Sequence, residues 1–332
     1  MNFKKLLAYR PISPKVTPKT SAYKFYWSIG KCTLDFSSQN YTLDSNPLLG
    51  QNGRFFNLES SSGIIFTDYF VCDPFLINFD SKLLIFFEIC GYVGDKYVTA
   101  IAKVETNQEL TSVENFSVVK FADDKMGVNR THTISYPYPI ILHGELYLVL
   151  EEFSQQLNTQ VYKYDLRSNN LEAVGSLPTR IYDPNIHEIN GKIWIYGVDR
   201  DYSIRVFVGE TVSGPYYEHA SSKKYQGKNF ARNAGAVFMF NGSTIRPFQD
   251  CSESYGSSLG FSEIKIDDYM GFQILQNLTW DRLRVTGHKA NPYWATSKAH
   301  HFTALNISSN SITGLIDAAR KFYITNHGWM QY

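Results

Sequence analysis

One short pattern runs four to five times through this chain, and no other feature restricts the possible folds so tightly. Each copy has a polar leader, often Asp-Pro or Tyr-Pro, then an apolar strand, a tight turn and a second apolar strand. The clearest copies are CDPFLINFDSKLLIFFE at 72–88, YPYPIILHGELYLVLEE at 136–152 and YDPNIHEINGKIWIYG at 182–197. RNAGAVFMFNGSTIRPFQD at 232–250 is a degenerate fourth copy, and HHFTALNISSNSITGLID at 300–317 a weak fifth. The turns fall at Asp80-Ser81, His143-Gly144, Asn190-Gly191, Asn241-Gly242 and Ser309-Asn310, spaced 47 to 68 residues apart. Hairpin repeats of that length predict propeller blades, and a single blade cannot bury its own faces. The expected fold is all-β: a five-bladed β-propeller with four-stranded blades around a central channel.

Strand pairs at 97–106, 159–175, 202–219 and 260–275 keep step with the first four hairpins and supply the outer halves of those blades. The fifth hairpin has only 15 residues after Asp317, so strands from 23–70 are expected to complete its blade and close the ring. The aromatic stretch YKFYWSIG at 23–30 reads as one such strand. Residues 1–22, with a Pro/Thr/Ser/Lys-rich stretch at 11–21, are expected to form an N-terminal arm, and 23–332 a single propeller domain. Helical periodicity is scarce; SITGLIDAARKFY at 311–323 is the best short candidate.

A net charge of +1 gives no broad electrostatic footprint for nucleic acid or an anionic membrane. The four cysteines, Cys32, Cys72, Cys90 and Cys251, show no metal-ligand spacing, and neither a metal nor a cofactor is expected. The opening MNFKKLLAYRP has too short an apolar run for a cleavable signal. The most apolar window, 75–93, is broken by Asp80, Lys82 and Glu88, so no membrane span is expected. These features predict a soluble cytoplasmic protein.

The copies agree in their strands and differ in their leaders. Blade one offers Asp73, blade two Ser135 and Tyr136, blade three Asp183, blade four Arg232 and Asn233, and blade five His300 and His301. Strands lining a channel would bring these side chains together at one end. Two carboxylates on a rigid framework suit glycosidic chemistry, while Asp before Pro also starts strands by bonding nearby amides. Glu88, Glu151 and Glu152 end the second strands; two-residue periodicity puts Glu88 and Glu151 on apolar faces, where a buried carboxylate needs a partner. The stretch at 232–256 gathers Arg232, Arg246, Gln249, Asp250, Glu253 and Tyr255 around one hairpin, with Arg246 and Gln249 inside a strand-like run. Asp73, Asp183 and Asp250 have no spacing that demands a cation.

The pattern DPFLI…FFE, then SYPYPI…LYL..E, then DP.I….K.W..G, then R.AG……..RP.QDC…YG resembles a five-bladed β-propeller family over roughly residues 65–320. Its members include the amino-terminal domain of plant glucosamine inositolphosphorylceramide transferases and bacterial proteins of surface-glycan gene sets. It is distantly similar to family-43 glycoside hydrolases. That resemblance implies an Asp base in blade one, an Asp that modulates a pKa, and a Glu general acid in a later blade. Asp73 and Asp183 match the two Asp positions. Blade four departs, carrying Arg232-Asn233-Ala234 where the Glu belongs, with Glu253 or Glu151 as substitute acids.

A hydrolase must protonate a poor alkoxide leaving group, whereas a nucleotide leaves as a stable anion that needs cationic stabilisation. Arg232 and Arg246, with His300 or His301, could supply it to phosphate oxygens. The sequence therefore leads to a glycosyltransferase of bacterial surface-polysaccharide biosynthesis, taking a nucleotide-sugar donor and a glycan acceptor. A family-43-like hydrolase, and a non-catalytic glycan-binding scaffold for a partner glycosyltransferase, are the alternatives.

Overall fold

A computed structural model of the protein describes residues 23–38, 40–50, 58–121, 134–152, 158–277, 294, 295, 297–325 and 328–331. Every regular element among them is a β-strand. Turn chemistry explains the hairpins. Asp80-Ser81, His143-Gly144, Asn190-Gly191 and Asn241-Gly242 all have positive φ at both residues, for example +53° and +75° at Asn190 and Gly191. A turn with two left-handed residues matches the right-handed twist of the strands it joins, and so closes a two-residue hairpin.

The strands form five sheets, the blades of a five-bladed β-propeller. Blade one runs Ile65–Phe79, Lys82–Val93, Lys96–Thr106 and Val113–Val118, with Leu58–Glu59 on its inner edge. Blade two runs Ile134–Leu142, Glu145–Glu152, Gln160–Asp165 and Asn170–Ser176, with Lys120–Phe121 parallel on its outer edge. Blade three has four strands: Tyr182–Ile189, Lys192–Val198, Ile204–Gly209 and Tyr217–Glu218. In blade four, Arg232–Asn233 and Phe238–Phe240 both pair with Ser243–Asp250, followed by Ser258–Asp267 and Gly271–Asn277. Blade five joins the two ends of the chain, in the order Lys298–Ile307, Ser311–Thr325, Tyr23–Asp35 and Asn40–Leu43.

The chain divides into two compact units, residues 26–320 and residues 1–25 with 321–332. Within the smaller unit, Phe322–Thr325 pairs with Gly328–Gln331. In the larger unit the apolar core is five separate clusters, each between neighbouring blades. Leu84, Phe86 and Ile101 of blade one meet Phe121, Leu146 and Leu148 of blade two. Trp194, Tyr196 and Val206 of blade three meet Ile264 and Phe272 of blade four, and Cys32, Leu34, Ile312 and Ile316 of blade five meet Phe238 and Phe261 of blade four. This is the packing that a blade with two apolar faces requires.

Outside blade four, where Arg232 opens its short strand, the leaders lie inside their strands. In blade one the strand begins at Ile65, and Asp73 lies inside it at a bulge between Cys72 and Phe75. Equivalent register shifts occur around Tyr136, Asp183 and His300. Asp73, Tyr136 and Asp183 have φ of +51°, +53° and +47°. A bulged residue in the left-handed region re-aims its side chain, and such sites cluster where function needs it. The segment 311–323 is strand, not helix. Its run is buried almost continuously, and the partner strand is bulged at two places, so neither two-residue nor helical periodicity is clean.

Candidate active site

The bulged leaders converge at one end of the inner strands in two linked groups. Blades five and one build the first. Asp317, fully buried in the middle of its strand, accepts the backbone N–H of Asp73 at 3.0 Å, of His300 at 3.2 Å and of His301 at 3.0 Å. The same carboxylate lies 2.7 Å from His300 Nδ1. It thereby fixes both leading segments. His301 Nδ1 is 3.4 Å and His300 Nε2 4.0 Å from an Asp73 carboxylate oxygen. Burial pulls the His300 pKa down, but Asp317 and Asp73 outweigh it and the net shift is upward. Burial pushes Asp73 up, yet the His301 contact and the charges of His300, His301 and Arg232 leave it below the ordinary carboxylate range. Asp73 is thus held ionised.

Beside it stands Glu88, the facing residue of Cys72 across the hairpin. Cys90 donates to Glu88 at 2.9 Å and Cys72 at 3.5 Å. Burial, then the neighbouring Asp73 charge, pushes Glu88 up to about 8. An ionised and a protonated carboxyl therefore sit side by side, with oxygens of the two and Cys72 Sγ within 4.8 Å of one another. That is the division of roles that acid–base chemistry on sugars uses.

Blades two, three and four build the second group. Glu151, fully buried, accepts the Asp183 N–H at 3.1 Å, as Asp317 does for Asp73. Burial and the Asp183 charge raise Glu151 well above the usual range, so it keeps its proton. Arg232 donates to Asp183 through Nε and through Nη2, the latter at 3.2 Å, and Gln249 donates at 3.1 Å. Burial works against the Arg232 charge, but the Asp183 carboxylate more than compensates. Tyr255 links the groups: Arg232 lies 4.8 Å from its ring centre, and the same ring meets His300 edge-on at 5.3 Å. Trp27 stacks on His300 at 4.1 Å. Tyr255 is 45% exposed and marks where the site meets solvent.

Several residues singled out in the sequence are placed otherwise. Arg246 is fully buried; it donates to Asn233 at 2.7 Å, to the carbonyls of Phe230 and Ala231, and to Ser262, and burial lowers it to about 10. It ties blade four together and is not presented to a phosphate. Asn233 also donates to the Asp183 carbonyl at 2.7 Å, holding blade four to blade three. Tyr136, fully buried, donates to Asn185 at 3.0 Å and receives the Gly235 N–H at 2.9 Å, which ties blades two, three and four together. Gly235 has φ +127°, and a Cβ there would collide with the Phe302 carbonyl. Asp250, fully buried, accepts from the Ser252 N–H and hydroxyl and shapes the following loop. Glu253 is exposed in that loop. Two buried triplets, Cys72/Asp73/Glu88 and Asp73/His300/Asp317, have ligand atoms close enough to share a cation, and neither includes Asp183 or Asp250.

Asp317 was the residue that pattern reading passed over. A signal existed: it lies about eight residues past its turn, as Glu88 and Glu151 do in their copies.

The geometry defines a five-bladed propeller whose bulged inner strands bring buried acids together. The chain belongs to the family described as glucosamine inositolphosphorylceramide transferase 1, N-terminal, whose model matches residues 53–319. Glucosamine inositolphosphorylceramide transferase 1 of Arabidopsis thaliana is 25% identical, over 76% of this chain and 32% of the relative. The protein of the same name from Oryza sativa subsp. japonica is 24% identical, over 76% and 33%. This chain thus spans about a third of the length of these relatives. Among solved structures, a family-43 β-xylosidase/α-arabinofuranosidase from a compost microbial metagenome shares the fold at a TM-score of 0.50 and 12% identity, covering 71% of this chain and 79% of that one.

Proposed function

We propose that the channel mouth transfers a sugar from an activated, nucleotide-linked donor to a glycan acceptor in cytoplasmic steps of bacterial surface-polysaccharide assembly. In this reading Asp73 takes the proton of the acceptor hydroxyl, the new glycosidic C–O bond forms, and the bond from the sugar to the diphosphate breaks. The diphosphate leaves with its electron pair, beside the Arg232 guanidinium. One observation carries the preference for transfer. Where the hydrolase pattern requires an acid, blade four supplies Arg232, while Glu151 is sealed in the interior and Glu253 lies on an exposed loop. The transferase names of the relatives agree with it.

Titration calorimetry with nucleoside diphosphates, followed by product analysis with nucleotide sugars and acceptor glycans, tests this. Asp73→Asn is expected to bind donor as the native protein does and to lose at least 100-fold in transfer. A native protein that binds no nucleotide would sink the proposal.

The protonated Glu88 beside ionised Asp73 supports a second reading, hydrolysis with Glu88 as the acid. It requires release of phenol from aryl glycosides that Glu88→Gln abolishes. Glycan binding with neither activity would leave a scaffold domain for a partner glycosyltransferase.

A further inference from the structure

Blade one is longer than its neighbours at the end where the leaders lie. Its first two strands have 15 and 12 residues, against 9 and 8 in blade two and 8 and 7 in blade three. The added length is 65–72, ahead of Asp73, paired with 89–93, past Glu88. The third strand continues the ladder, with Thr99 opposite Cys90 and Tyr97 opposite Tyr92. Directly opposed residues share a face and successive ones alternate, so Glu88, Cys90, Tyr92, Tyr97 and Thr99 lie on one face. Deeper in the blade that face is buried, with Leu84, Phe86 and Ile101 against Leu146 and Leu148 of blade two. Blade two opens at Ile134, just ahead of its leader Tyr136, and among the described residues has no strand to match the added length. There Tyr92 and Tyr97 are 37% and 50% exposed.

We propose that the Tyr92/Tyr97 pair is a stacking subsite for a sugar ring of the acceptor glycan, further along its chain than the ring at the transfer point.

The chemistry of the pair suits that occupant. A pyranose presents C–H groups on one face, and an aromatic ring open to solvent offers the apolar surface that such a face covers. Tyrosine supplies this area while immobilising only two torsions. The two rings meet edge-on, with centres 5.3 Å apart and planes at 74°, which leaves ring faces free for a ligand. Tyr97 is also anchored. Its hydroxyl donates to the Cys90 sulfur, and the Cys90 thiol donates to Glu88 at 2.9 Å. A ring already held in place loses little freedom when a ligand covers it.

The strands beneath the pair are fixed from behind. A second bulge, between Thr67 and Phe70, puts Asp68 at φ +45°, and Asp68 accepts the hydroxyl of buried Tyr26 from blade five. Tyr69, Val71 and Ile89 pack with Ile29 and Leu315 of blade five. The added length is thus braced on one face and open, with its aromatic pair, on the other. Tyr92 lies four residues past Glu88. At about 3.3 Å per residue that is roughly 13 Å of strand. A single sugar ring is shorter, so only an acceptor of several sugars reaches both the acids and the pair. A cross-strand aromatic pair also steadies its own sheet, and the decisive readout is therefore binding rather than stability.

The subsite rests on the reading that an acceptor glycan enters the mouth, and its test is separable from transfer. Glucose, xylose, galactose and mannose, and β-1,4-linked oligomers of each up to the tetramer, are titrated calorimetrically into the intact protein. The same series are titrated into Tyr92→Ala/Tyr97→Ala and into Tyr92→Phe/Tyr97→Phe. Both positions are exposed, so folding is expected to be unchanged, and circular dichroism checks it. In at least one series the native affinity should rise tenfold or more from monosaccharide to tetramer. The double alanine variant should lose that rise and keep the monosaccharide affinity; the double phenylalanine variant, which retains both rings, should keep the rise. Loss of the rise in the phenylalanine variant assigns it to the hydroxyls and overturns stacking. No binding in any series, affinity that does not grow with length, or a rise undiminished in the alanine variant overturns the subsite even if transfer is observed. A rise that needs the two rings, in a protein without transferase activity, upholds the subsite and rejects only the transfer reading.

Discussion

At the scale of single residues, the site depends on burial, which gives similar carboxyls different roles. Glu88 carries the clearest pH signature. Its folded pKa of about 8 lies above its ordinary value of 4.5, so the stability linked to its proton is fully present below pH 4.5. That stability is lost as pH rises towards 8, because the unfolded chain releases the proton first. Glu88→Gln cannot ionise, and a series of denaturant titrations from pH 5 to 8 should show a flatter dependence, with the variant a few kcal/mol better off at pH 8 relative to pH 5. Parallel curves for the two proteins would refute the assignment. Asp317 accepts three backbone N–H groups and the His300 ring. Asp317→Asn should cost about 3 kcal/mol in chemical denaturation, and the His300 pKa, read by NMR, should fall. Asp73, Asp183 and Arg232 were legible as leaders of their repeats. The protonation of Glu88 was not, because Cys72, Cys90 and Asp73 surround it only once the hairpin has formed.

Element by element, the hairpins were the most readable part of the chain, since their turns demand particular backbone angles. Three turns end in Gly, but the first places Asp80 and Ser81 at φ +51° and +62° without one. Ser81→Gly should remove a left-handed non-glycine residue and raise stability by about 0.5–1 kcal/mol, visible as a higher melting temperature. A lowered melting temperature would show that Ser81 makes an interaction that outweighs the strain. The bulges were less readable. An Asp-Pro pair signals a break in pairing, yet whether it starts a strand or kinks one depends on the residues that pair before it, and in blade one these begin at Ile65. The helical reading of 311–323 failed because the strand is buried on both faces over 315–320, which removes the two-residue alternation that marks a strand.

For the whole molecule, closure is decided by the two ends of the chain. Tyr23–Asp35 lies beside Ser311–Thr325, and Cys32 and Leu34 pack with Ile312 and Ile316 in the core between blades four and five. A protein lacking residues 1–43 would expose that core, and is expected to lose its single cooperative unfolding transition and to aggregate. Retention of one sharp transition would show that the ring closes without those strands. The repeat, its turns and the unequal leaders are written in the sequence, because hairpins are local and their residue requirements are steep. Five blades, and a polar residue at the same place in each, follow from them. Only the tertiary structure decided the electrostatics of the site. Asp73 meets Asp317 across 244 residues and Asp183 meets Glu151 across 32. Which carboxyl is ionised, which keeps its proton, and that Arg246 is a tie within blade four rather than a free cation, depend on desolvation and on neighbours that ring closure alone brings together.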